Sequence, residues 1–163
     1  MEGSNRITLL LSSYNVLMKV QTNSYYTGEA RKEDVQHLES GTRIQTSQDE
    51  EDILGDYLST AVDHLHRLLG LYLGETACMS QSDAAHEGYI LISFTVQAPA
   101  NFVVSRCGEL ERLIEDEATY LVLRDWLGVM KPGEEAFAVQ KAQEAELNIR
   151  YLVTGRTKPA ATL

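Results

Sequence analysis

A chain of 163 residues with 44% hydrophobic content is long and apolar enough to build one domain around its own core. Its 24 acidic residues against 14 basic ones leave a net charge of −10. That balance argues against the cation–phosphate contacts of ordinary nucleic-acid binding and against docking on anionic membranes. Two cysteines, Cys78 and Cys107, make no disulfide framework and are read as buried or half-buried thiols. No apolar run reaches the ~20 residues of a membrane span. The early "ITLLL" is too short for a signal-peptide core, so the chain is expected to stay in the cytoplasm until any assembly step.

The first element, "RITLLL", is a short apolar run that suits a strand or the first turn of a helix. Ser12 or Ser13 can cap a helix through "YNVLMKVQTNSYY", with Gly28 as its natural stop. Residues 29–48 are polar and irregular; they suit a surface loop or a small hairpin turning at Ser40-Gly41. From Asp49 to Leu73, Leu54, Leu58, Ala61, Leu65, Leu69 and their neighbours repeat at the three-and-four spacing of one apolar helical face. The carboxylates of "DEED" sit in its first turn, where they complement the helix dipole, and Gly74 ends it.

"ETACMSQSDAAHE" reads as a linker. "GYILISFTVQ" then alternates, with Ile90, Ile92, Phe94 and Val96 facing one way, as in a half-buried strand. A strand needs a hydrogen-bonding partner, for which "RITLLL" and the hairpin at 35–46 are the candidates. Pro99 closes the strand and Ser105 is placed to cap a third helix, whose inner stripe is Leu110, Leu113, Ile114, Ala118 and Leu121. "ATYLVLRDWLGVM" is apolar almost all round, so that half of the helix belongs at the centre of the core or in a subunit interface. Pro132-Gly133 breaks the chain and Glu134-Glu135 opens a last helix with Ala138, Ala142, Ala145, Ile149 and Leu152 on one face, closed by Gly155.

These elements predict a mainly α fold: four helices with a small antiparallel β element built on residues 88–97. Residues 1–155 form a single helical domain and residues 156–163 a basic, flexible tail.

The sequence holds no nucleophile elbow, phosphate loop, zinc-protease motif or dinucleotide fingerprint. His64 and His66 lie about 200° apart around a helix and cannot share an ion. Asp63, His37, His86 and the cysteines follow no ligand spacing, so no metal and no cofactor are expected. Glu117 and Arg124, near the inner stripe of the third helix, suit a structural ion pair across a helix interface better than acid–base chemistry. The tyrosines and Trp126 lack interleaved cations and read as core or interface aromatics.

Three stretches carry a family resemblance: "YNVLMKVQTNSYYTG", a helix ending in a Tyr-Thr-Gly turn; "DYLSTAVDHLHRLLGLYL", a long helix amid acidic residues; and "LERLIEDEATYLVLRDWLGVMKPGEEAFAVQKAQEAELNIRYLVTGRTKP". In the last, a helix ends in Trp126-Leu127, a turn follows, and a final helix runs into an R-x-K-P tail. In this order of elements the chain resembles the small head–tail connector, or neck, proteins of tailed phages and prophages. The resemblance implies a non-enzymatic virion component that forms a ring, a homo-oligomer seated between portal and tail proteins, with no catalytic residues, no sequence-specific nucleic-acid contact and no membrane. Neighbours in such a ring meet through heterologous contacts, and an acidic channel wall repels DNA phosphates so that the duplex slides.

The expected interface comprises Tyr120, Leu123, Trp126, Leu127 and Met130, with Arg156 and Lys158 as cationic docking groups; Arg150 complements the helix dipole. The alternative is a cytoplasmic helical adaptor that takes a peptide or small ligand in an apolar groove near Tyr120–Met130. An enzyme would have to use Glu117 and Arg124.

Overall fold

A computed structural model describes residues 4–32, 48–74 and 76–155. The fold is mainly α, and its β component is a sheet of three antiparallel strands in the order β1-β3-β2. The chain runs β1 (Ser4–Ser12), α1 (Ser13–Lys32), α2 (Gln48–Leu73), β2 (Thr76–Ser82), β3 (Ile90–Pro99), a single 3₁₀ turn (Val104–Arg106), α3 (Cys107–Met130) and α4 (Ala136–Thr154).

"RITLLL" is the strand of its two alternatives. Its register pairs Ile7 with Val96, Leu9 with Phe94 and Leu11 with Ile92. All six side chains are buried, so one row of alternating apolar residues on each strand builds the inner face of the sheet. Ile90, expected on that face, stands beyond the last of these pairs and is 41% exposed. The stretch read as a linker contains β2, which pairs with β3 from Thr76–Val96 to Ser82–Ile90. Its sequence, "TACMSQS", holds no large branched or aromatic apolar residue, and the strand is an edge whose side chains are mostly exposed. The hairpin at 35–46 lies outside the described residues.

The first helix starts where expected: Ser12 Oγ accepts the Asn15 N–H at 3.2 Å. Ser13 Oγ instead accepts the Ile90 N–H at 2.8 Å, tying the start of α1 to the start of β3. The helix passes through Gly28 to Lys32, so neither that glycine nor the Tyr-Thr-Gly sequence forms a turn. An interior glycine costs a helix only about 1 kcal/mol and does not stop it alone. Ser105 is not a cap either; it lies inside the 3₁₀ turn, and Arg106 precedes α3 without a side-chain cap bond.

Helices α1, α2 and α3 all contact the sheet. Helix α3 also packs on α1 and α2, and α4 packs chiefly on α3. Contact on several sides is why the second half of α3 is apolar nearly all round: Ala118, Leu121, Val122, Leu123, Trp126 and Leu127 are all buried. The turn after α3 is closed by Gly133, with φ of +97°, and by the Glu135 carboxylate, which accepts the Gly133 N–H at 2.6 Å. The predicted Ala138–Ala142–Ala145–Ile149–Leu152 face of α4 is buried, and its small side chains let the helix sit close to α3. Gly155, with φ of +68°, ends it in a left-handed cap. No helix among the described residues is long and apolar enough to cross a membrane.

Candidate functional site

The residues expected at an interface separate into two groups. Leu123, Trp126 and Leu127 are buried in the chain's own core, and Tyr120 is half-buried against it. Met130 is exposed, together with Val129 before it and Phe137 after the turn. The corner between α3 and α4 therefore has Trp126 and Leu127 as internal anchors and an apolar outer surface made of their neighbours. Arg156 and Lys158 lie outside the described residues. Arg150, expected to complement the helix dipole, has its guanidinium 5.7 Å from the centroid of the Tyr72 ring on α2. Along the same stretch of α3, Leu121 and Val122 are buried as well. A cleft of about 690 Å³ lies elsewhere, between α2 and the β2–β3 hairpin, lined by Leu58, Val62, Asp63, Cys78, Tyr89 and Ile92.

Arg124 pairs with its neighbour Asp125 at 3.0 Å and takes no part with Glu117. Glu117 turns toward α2 and α4. Its side chain is 0% exposed, and neither carboxyl oxygen has a hydrogen-bond partner among the described residues. One oxygen lies 3.3 Å from His64 Nε2 on α2, and the same nitrogen lies 3.6 Å from the Glu146 carboxylate on α4. The His64 and Glu146 side chains are 39% and 31% exposed, so the cluster runs from a buried acid to a wet rim. Burial, and secondarily the charge of Glu146, push the Glu117 carboxyl up to about 8.

His66, on another side of α2, is committed elsewhere: its Nε2 meets the Thr76 carbonyl at 2.7 Å and ties the end of the helix to β2. The two histidines therefore do serve different sites, as their angular separation requires. What spacing could not reveal is that one ligand-type residue from each of α2, α3 and α4 converges on one point, because their sequence separations are set by helix packing and follow no local motif.

A second polar cluster has a structural explanation. Asp83 accepts the Ala85 N–H at 2.9 Å and meets His86 Nδ1 at 3.0 Å. The His86 ring stacks on Tyr14 with centroids 3.7 Å apart, and Tyr89 meets Tyr14 edge-on. The His86 and Ala85 hydrogen bonds hold the Asp83 carboxyl below the usual carboxylate range. The hydroxyl that flanks the turn, Ser13 Oγ, accepts the Ile90 N–H. The arrangement fastens the β2–β3 turn to α1. On the opposite side of α1, Lys19 bridges to Glu115 at 2.6 Å and Asp116 at 3.5 Å on α3. Burial works against the Lys19 charge, but the Glu115 hydrogen bond and the two carboxylates outweigh it and hold the amine above its ordinary range. Cys78 and Cys107 are half-buried free thiols, both pushed up by burial first and a nearby carboxylate second.

Comparison with protein-family models, curated proteins and solved structures finds no match to this chain.

Proposed function

We propose that this chain is a non-enzymatic structural subunit of a tailed-phage or prophage particle, a head–tail connector-like ring component that meets portal and tail proteins. The observation that supports this reading is the corner between α3 and α4. Trp126 and Leu127 are buried in the core beside it, while Val129 is 66% exposed, Met130 43% and Phe137 40%. Exposed apolar side chains on both sides of one helix–helix turn, in a chain with net charge −10, suit a protein–protein contact. The corner also falls in the stretch that resembles the connector family. The contact then uses the outer residues Val129, Met130 and Phe137 in place of Leu123, Trp126 and Leu127, which the core consumes.

The test is sedimentation and electron microscopy of the chain, alone and mixed with whatever portal and tail proteins its gene neighbourhood encodes. Rings or a stable complex are expected, and replacing Val129, Met130 and Phe137 together by serine should abolish them. A chain that stays monomeric at high concentration and binds neither neighbour would overturn the reading.

A further inference from the structure

We infer that His64, Glu117 and Glu146 form a binding site for one divalent transition-metal ion of the Zn²⁺ class, which staples α2, α3 and α4 together. Each helix contributes one side chain, and one ligand atom from each lies within 4.8 Å of the other two. An ion with bonds of about 2.0–2.1 Å holds its tetrahedral ligand atoms about 3.4 Å apart. The two separations from His64 Nε2, 3.3 Å to Glu117 and 3.6 Å to Glu146, bracket that edge length. Two of the three edges of the cluster therefore stand at coordination distance, and the third, between the carboxylates, lies within 4.8 Å.

The second observation is Glu117 itself. A fully buried carboxyl whose oxygens accept no hydrogen bond is costly, and such groups are rare in folded proteins. His64 Nε2 likewise has no hydrogen-bond partner among the described residues although the atom is buried. The two atoms stand 3.3 Å apart without hydrogen-bond alignment, so their contact leaves the burial of the acid only partly compensated. A dication accounts for both: it accepts the imidazole lone pair and balances two carboxylate charges with a neutral histidine.

The donor set chooses the class of ion. One nitrogen and two carboxylate oxygens suit Zn²⁺ and its first-row neighbours; Ca²⁺ and Mg²⁺ favour all-oxygen shells of higher coordination number, and Cu⁺ favours sulfur. The partly exposed rim formed by His64 and Glu146 gives the ion a way in and leaves room for water as a further ligand. The expected role is structural, since the ion would join α4 to α2, which otherwise touch lightly. This inference stands independently of the connector reading.

The experiment is calorimetric titration of Zn²⁺ into EDTA-stripped, re-dialysed protein, with a parallel Co²⁺ titration read by its visible d–d bands and a thermal melt with and without Zn²⁺. One equivalent should bind, a tetrahedral Co²⁺ spectrum should develop, and the melting temperature should rise by several degrees. Glu117→Gln and His64→Asn should each weaken binding by at least about 100-fold. His86→Asn, at the other histidine–carboxylate pair, should leave binding unchanged. His64 is partly exposed, so its variant keeps the test decisive even if Glu117→Gln folds poorly. Absence of stoichiometric binding, or binding that survives both ligand substitutions, would overturn the inference and leave the cluster an ion-pair network.

Discussion

Glu117→Gln, measured in EDTA, isolates the energetic cost of one buried acid. In the unfolded chain its carboxyl titrates near 4.5, and in the folded chain at about 8. Below the lower value both states hold the proton and the site costs nothing. As pH rises from about 4.5 to about 8, the unfolded chain gives up its proton while the folded chain keeps it, so folding stability falls by about 1.4 kcal/mol per pH unit. Above about 8 both states are ionised and the loss is complete, on the order of 4–5 kcal/mol in all. At neutral pH it has reached roughly 3 kcal/mol. Glutamine has the same shape and no proton to lose, so the variant should lack this slope. Urea unfolding of both proteins at about pH 5, 7 and 9 supplies the comparison, and titrating groups away from this cluster cancel in the difference. The variant should match the parent near pH 5 and exceed it by several kcal/mol near pH 9. Parallel stability curves across that range would refute the argument, because they would mean that Glu117 is solvated or hydrogen-bonded in the folded chain.

Trp126→Ala should destabilise the fold by about 3–5 kcal/mol, read by chemical denaturation, since the side chain is 2% exposed at the α3–α4 corner. Ala142→Leu should cost about 1–3 kcal/mol by forcing α4 away from α3; an unchanged midpoint would show that the helices are not closely packed there. Gly155→Ala places a side chain in the left-handed cap of α4 and should lower stability by about 1 kcal/mol, with a matching drop in melting temperature.

Elements whose residues see one environment along their whole length were legible. Helix α2 shows its apolar stripe from end to end, and β3 shows its alternation because one face of the sheet is covered and the other is not. The α3–α4 corner was legible for a different reason: proline, glycine and a change of periodicity act locally. Strand β2 was not, because an edge strand needs no apolar face once β3 supplies its hydrogen bonds. Gly28 and Ser105 misled in the same way: each has a local preference worth about 1 kcal/mol, which neighbouring structure readily overrides. The all-round apolar half of α3 predicted either core or interface, and only the placement of α1, α2 and α4 around it selects the core for Leu123, Trp126 and Leu127.

The sequence by itself determined the mainly α class, the apolar stripe of α2, the inward row of β3 from Ile92 to Val96, and the helix corner at Pro132-Gly133. All of these follow from periodicity and backbone preference over a few neighbouring residues. The strand order and the His64–Glu117–Glu146 convergence were decided only in three dimensions. Both join residues far apart in the chain, and their distances depend on how helices and strands pack, which no local pattern encodes.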